Sequence, residues 1–242
     1  MGTVFSFDIR DRPTVRVRHA LQDAVRWLHR MDAIFSTYRQ DSAISRLDRG
    51  ETTLDRCPHE VADVLALCDR ATAATRGYFT SSPAGRLDPS GLVKGWAIER
   101  AAGLLHAAGA HNTYVNGGGD LQVYGEAASG EPWRIGVAHP HSPRRLVAVV
   151  PGSDIAVATS GTAERGAHIF DPHTGKPAGA WLSLTVVGPR IGPADVFATA
   201  AFAMGDAAPA WIAEQQGYEA MGIRVDGSVW YSDGFPPQES MW

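Results

Sequence analysis

The chain has little cysteine: two residues in 242, Cys57 and Cys68. Their spacing fits no metal pattern, and two thiols in one helical-looking region do not make a disulfide framework. Basic charge is not in excess either. The formal net charge is −4, which gives no electrostatic footprint for nucleic acid. No run reaches the roughly 18 apolar residues of a membrane span. The first residues, Met1-Gly-Thr-Val-Phe-Ser-Phe-Asp-Ile-Arg, lack the basic start, long apolar stretch and cleavage site of a signal peptide. These absences predict a cytoplasmic protein with no membrane span and no nucleic-acid partner. Internal repeats, low-complexity tracts and a clean linker are also missing, so a single domain over 1–242 is expected.

What is present is ordinary globular material: 44% hydrophobic and 20% charged residues, enough to bury a substantial core. Val4 to Ile9 alternates as a strand does. From Thr14 to Phe35, Ala20, Ala24, Trp27, Leu28 and Met31 recur at helical spacing. Pro58 to Thr75 repeats that pattern with Val61, Val64, Leu65 and Cys68, and Pro58 and Glu60 suit a first turn. A third helix is expected from about Asp88 to Ala108, and an Ala-rich one from Pro193 to Gly205. Ala207 to Gly217 reads as a last helix. Strands are expected at Asn112–Val115, Leu121–Tyr124, Trp133–Val137, Arg145–Val150, Ile155–Ala158 and Leu182–Gly188. A hairpin is expected around Asp226-Gly-Ser. Helices interleaved with hairpin-connected strands predict an α+β fold with mixed or antiparallel sheets.

Several polar clusters break this apolar pattern, and each has a plain reading beside a chemical one. Thr159-Ser160-Gly161 ends a strand with two hydroxyls and a permissive backbone, which can face an anion or simply turn a hairpin. His168 precedes an apolar pair and the turn cluster Asp171-Pro-His-Thr-Gly175, where an imidazole could handle a proton. Tyr38 offers a flat ring for stacking or a partly buried core aromatic. Asp88 stands at a helix cap position. Ser90, Gly91 and Lys94 follow it within about a turn, as a phosphate site at a helix start requires. Asn116-Gly-Gly-Gly-Asp120 follows a strand and allows close backbone approach. Asp195 and Thr199 lie one turn apart, so both oxygens face the same way. Such a pair can hold a hard cation such as Mg²⁺, or cap a turn and bond its own backbone. His139 and His141 read as solvated loop residues.

Taken together and in order, these stretches resemble the ApbE family, the FAD:protein FMN transferases. The resemblance rests on Met1-Gly-Thr3, Ser36-Thr-Tyr-Arg-Gln-Asp-Ser42, Asp88-Pro-Ser-Gly-Leu-Val-Lys-Gly-Trp-Ala97 and Val115-Asn-Gly-Gly-Gly-Asp120. It continues through Trp133-Arg-Ile-Gly-Val-Ala-His-Pro140, Ala158-Thr-Ser-Gly161, His168-Ile-Phe-Asp-Pro-His-Thr-Gly-Lys-Pro177 and Ala194-Asp-Val-Phe-Ala-Thr199. Short motifs are weak singly, but their common order across nearly the whole chain is specific.

The resemblance implies a T-fold-like ApbE architecture with a nucleotide cleft between two intertwined lobes. It implies an Mg²⁺-dependent enzyme that splits the FAD pyrophosphate, joins FMN to a threonine hydroxyl of a target flavoprotein and releases AMP. Position by position, it implies that Met1, Tyr38, Asp88, Lys94, Thr159, Ser160, Gly161 and Phe170 bind the dinucleotide. Asp195, Thr199 and the carbonyl of Gly91 would hold Mg²⁺, and His168 would be the catalytic group. Two further readings use the same residues: an FAD pyrophosphatase yielding FMN and AMP, and an FAD-binding protein without turnover. One departure stands out. Gly77-Tyr-Phe-Thr80 carries Thr where the family carries Asp, and the stretch from there to Asp88 is short, which predicts a reduced wall of the pocket.

Overall fold

The computed structural model describes residues 2–162, 166 and 169–236. Helix α1 (Val15–Phe35) starts where the Thr14 hydroxyl accepts the Val17 amide, and it buries Val17, Ala20, Ala24, Leu28, Met31, Ile34 and Phe35. Those positions recur every three or four residues, so the apolar stripe read from the sequence is the face that packs. α2 (Ala43–Asp48) is a short helix capped by the Ser42 side chain, inside a segment too polar to show a helical period. α3 (His59–Ala74) follows Pro58. Its Glu60 is buried and receives a two-pronged hydrogen bond from Arg30 of α1, at 2.6 and 3.0 Å. α4 (Ser90–Ala107) and α5 (Ile191–Met204) are the most deeply buried helices. The last helix, α6, covers only Ala208–Ile212 rather than running to Gly217, because the chain turns after Ala213.

All described strand pairs are antiparallel. The large sheet has seven strands in the order β1-β2-β3-β7-β10-β11-β12. They are β1 (Phe5–Ile9), β2 (Thr113–Gly117), β3 (Asp120–Tyr124), β7 (Ala156–Gly161), β10 (Trp181–Gly188), β11 (Glu219–Arg224) and β12 (Val229–Tyr231). A second sheet joins β4 (Glu126–Ala128), β5 (Glu131–His139) and β6 (Ser142–Gly152), and β8 (Phe170–Asp171) with β9 (Lys176–Pro177) forms a small hairpin. His139 and His141 thus flank a tight β5–β6 turn rather than a longer loop.

Side-chain alternation splits the core into two layers. Ala156, Ala158, Leu184 and Val186 join the cluster formed with the helices, while Leu121, Val123, Val157 and Val187 pack with Trp133, Ile135, Val137 and Val150 of the second sheet. The large sheet is therefore covered by helices on one face and by the second sheet on the other. The result is the expected α+β class with antiparallel sheets. No helix among the described residues is long and apolar enough to cross a membrane.

Candidate functional site

The ends of α4, α5 and β7 converge on a cleft of about 760 Å³. That lies in the usual range for small-molecule and cofactor sites. Tyr38, Asp88, Gly91, Lys94, Thr159, Ser160, Gly161, Phe170, Asp195 and Thr199 all line it. These residues come from segments that share no local structure, so only the fold brings them together. Met1 and His168 lie outside the described residues.

Each side chain has a structural reason for its position. Asp195 sits inside α5, not at its start, and is 3% exposed. The capping role open in the sequence is therefore excluded: its Oδ2 accepts the backbone amide of Gly95 on α4 at 2.9 Å. Thr199, one turn on, has its hydroxyl 3.3 Å from the Ser160 hydroxyl on β7. Gly91 opens α4 against this pair. A Cβ there would lie 3.7 Å from Thr199 Oγ1 and 3.3 Å from the Phe79 ring. Asp88 Oδ1 accepts the Ser90 amide at 3.0 Å in a turn just ahead of α4. The cap position itself is Pro89, whose ring has no capping group, so Asp88 stands one residue before the expected cap. Thr159 and Thr185 are register partners across β7 and β10, with hydroxyls 2.9 Å apart.

Lys94 does not point freely into the cleft. Its ammonium forms an ion pair with Asp120 Oδ2 and stands 3.7 Å from Asp195 Oδ1. Asp120 is 1% exposed, and its other oxygen accepts the Thr159 amide at 2.9 Å. One cation thus faces two buried carboxylates. Burial pushes the Asp195 carboxyl up to about 7, with nearby Asp120 adding to the rise and Lys94 and the Gly95 amide opposing it. A buried carboxylate in this state gains by meeting additional positive charge. Among the described residues, no three His, Cys, Asp or Glu side chains gather as a metal cluster. The polar groups near Asp195 are the Asp120 carboxylate, which shares Lys94 with it, and the Thr199 hydroxyl one turn on.

The rim is aromatic. Tyr38 is 78% exposed and Phe170 43% exposed, which excludes the reading of Tyr38 as a core residue. The short stretch after Gly77 still forms a wall, since Tyr78, Phe79, Thr80 and Pro83 line the cleft. Phe79 is buried and its amide donates to the Thr75 hydroxyl at 3.0 Å. Asp120 is the site residue that sequence reasoning passed over. A signal was there: an acid directly after three glycines and before the apolar Leu121 has no reason to face water. Its partners, Lys94 and Thr159, are too distant in sequence to reveal the pairing.

Comparison with known proteins places this arrangement in a family. A family model described as ApbE matches residues 1–83 and 80–222. An FAD:protein FMN transferase of Rhodobacter capsulatus is 34% identical over 181 residues, 70% of this chain and 34% of that protein. One of Vibrio cholerae is 34% identical over 130 residues, 50% of this chain and 39% of that protein. The matched stretches thus span between a third and two fifths of these relatives' lengths. Among solved structures, the flavin transferase ApbE of Vibrio cholerae superposes with a TM-score of 0.82 at 23% identity, over 99% of this chain and 96% of that one. The ApbE protein of Thermotoga maritima does so at 0.81 and 19%, over 96% and 97%. With motifs, fold and family match in agreement along nearly its whole length, this chain belongs to the ApbE family.

Proposed function

We propose that the chain is an Mg²⁺-dependent FAD:protein FMN transferase, acting on a threonine of a target flavoprotein and releasing AMP. The observation that carries the reading is the convergence of ten motif residues, from five separate segments of the chain, on one cleft of about 760 Å³. The names of the relatives, FAD:protein FMN transferases, support the same chemistry. We also read the cleft between helical layer and second sheet as the nucleotide site of a T-fold-like architecture.

The residues fit a hard cation. Asp195, Thr199 and the Gly91 carbonyl are oxygen donors of the kind Mg²⁺ takes. Gly91 packs against Thr199, Thr199 follows Asp195 by one turn, and Asp195 shares the single Lys94 ammonium with Asp120. Bound there, Mg²⁺ supplies the positive charge that the pyrophosphate needs. The chain's own groups do the rest. Tyr38 and Phe170 offer ring faces to the flavin or adenine. Lys94, Ser160 and the backbone at Gly161 face the phosphates, and Asp120 holds both Lys94 and the Thr159 amide in place.

In the reaction the target threonine Oγ bonds to the phosphorus of the FMN half. The bond from that phosphorus to the bridging oxygen breaks, and AMP leaves with that oxygen. The hydroxyl proton passes to His168, and a positioned base of this kind contributes about 10²–10⁴-fold. Positioning and charge supply most of the remainder, as in phosphoryl transfer generally.

The test is to incubate the protein with FAD, Mg²⁺ and a domain bearing an acceptor threonine, then weigh the domain by mass spectrometry. A gain of one FMN phosphoryl group supports the reading. Free FMN with an unmodified domain assigns a pyrophosphatase, and unchanged FAD assigns a binding protein. His168→Ala is expected to keep FAD binding while losing transfer.

A further inference from the structure

A helix without a side-chain cap leaves its first amides to find partners elsewhere. α5 begins this way: Arg190 makes no side-chain cap, and Pro193 has no N–H to offer. The two remaining amides reach other elements. The Ile191 amide donates to Gln122 Oε1 at 3.0 Å, and the Gly192 amide donates to Glu99 Oε2 at 3.0 Å. Gln122 Nε2 donates in turn to the carbonyls of Ile155 and Pro189, each at 3.2 Å. This carboxamide is 1% exposed, so its bonds are made out of water, where a lost partner is costly.

The anchoring elements are those that build the site. Gln122 follows Asp120 by two positions in β3, so both side chains face the helical layer. Glu99 lies on α4, the helix that carries Gly91 and Lys94. The first turn of α5 is thus pinned to β3 and α4 one turn before Asp195. Further along, α5 is held by the buried side chains of Ile191, Val196 and Phe202 and by the Asp195–Gly95 hydrogen bond. The small Ala194 and Ala198 flank Asp195 on its first turns, so the polar anchor at the start of the helix is the side-chain hydrogen-bond tether that precedes the site residues.

We propose that Gln122 is a positioning residue that fixes the rotation and depth at which α5 presents Asp195 and Thr199 to the cation. The inference rests on the reading of those two as Mg²⁺ ligands. Outer groups that orient a ligand typically change metal affinity by about 10–100-fold when removed. Gln122→Met keeps the volume and removes every hydrogen bond of the amide. Gln122→Glu keeps an acceptor for the Ile191 amide but loses the donors to Ile155 and Pro189.

The experiment is calorimetric titration of Mg²⁺ into the FAD-loaded protein, at a temperature where circular dichroism shows wild type and variant folded. Gln122→Met is expected to weaken the Mg²⁺ Kd by about 10–100-fold, with FAD affinity measured without metal left within about twofold. Gln122→Glu is expected to weaken the Kd as well, because its carboxylate has no N–H to offer the Ile155 and Pro189 carbonyls. A role confined to stability lowers Tm and leaves the Kd of the folded protein alone, so an unchanged Kd in Gln122→Met overturns the proposal. Should Gln122→Met not fold, Gln122→Glu decides in the same way: a weaker Kd supports the proposal and an unchanged one overturns it. A wild-type protein that binds FAD but no Mg²⁺ overturns the cation assignment and this inference with it.

Discussion

The carboxylate of Asp195 on α5 accepts the backbone amide of Gly95 on α4, at 2.9 Å. Two helices far apart in sequence are locked at this point, and the lock holds a charged group under the cleft floor. Gly95 is what lets them meet. A Cβ at that position would lie 2.8 Å from both Asp195 Cβ and the Ile191 carbonyl oxygen. Gly95→Ala therefore overpacks the contact, at a cost of about 1–3 kcal/mol. A fall in Tm of roughly 2–4 °C per kcal/mol is expected by scanning calorimetry, together with reduced turnover. A Tm equal to wild type contradicts this account of the helix contact.

Asp195→Asn separates charge from packing. The amide oxygen can still accept from Gly95, so the fold is expected to stand. The charge facing the cation is gone, and Mg²⁺-dependent turnover is expected to fall at least about 100-fold, as for loss of a principal electrostatic group. Steady-state rates at saturating FAD check this. Turnover at the wild-type level removes Asp195 from the cation site.

The Arg30–Glu60 pair predicts an acid-sensitive contact between α1 and α3. The hydrogen bonds from Arg30 hold the Glu60 carboxyl below its ordinary value of 4.5, against the opposing effect of burial. A carboxyl with a lowered folded pKa stabilises the protein above its unfolded pKa. That contribution is lost as pH falls below about 4.5 through the folded value. Urea denaturation of wild type and Glu60→Gln between pH 7 and pH 3 measures it. The stability gap between the two is expected to be widest at neutral pH and to close on acidification, and a gap independent of pH contradicts the pairing.

The two thiols are expected to differ. Cys68 is fully buried and burial pushes its thiol up to about 12, so almost no thiolate forms at neutral pH. Cys57 is partly exposed. A thiol reagent at pH 7.5 should label one cysteine in the native protein, identified as Cys57 by peptide mapping, and both in denaturant. Rapid native labelling of Cys68 contradicts the packing of α3.

What the sequence revealed tracks how local each signal is. α1 was legible because its apolar stripe and Thr14 cap are local. α5 was legible as a helix but not in orientation: it is apolar all round, with no polar face to mark the outside, so the burial of Asp195 could not be read. α2 escaped because its few apolar residues sit in a polar segment and its cap, Ser42, bonds within the loop. α6 was read too long because nothing in the run from Ala207 forces the turn after Ala213. In the site, motif order brought out Tyr38, Gly91, Lys94, Asp195 and Thr199. The ion pair that ties Lys94 to Asp120, and the Gln122 bridge to α5, depend on strands and helices meeting in space.

The most direct measurement is the stoichiometry of AMP released to FMN bound covalently to an acceptor domain, with and without Mg²⁺. One AMP is expected for each FMN attached, and neither product once a chelator removes the metal. An acceptor that stays free of flavin while FAD is consumed, or a ratio unaffected by the chelator, would contradict an Mg²⁺-dependent transfer.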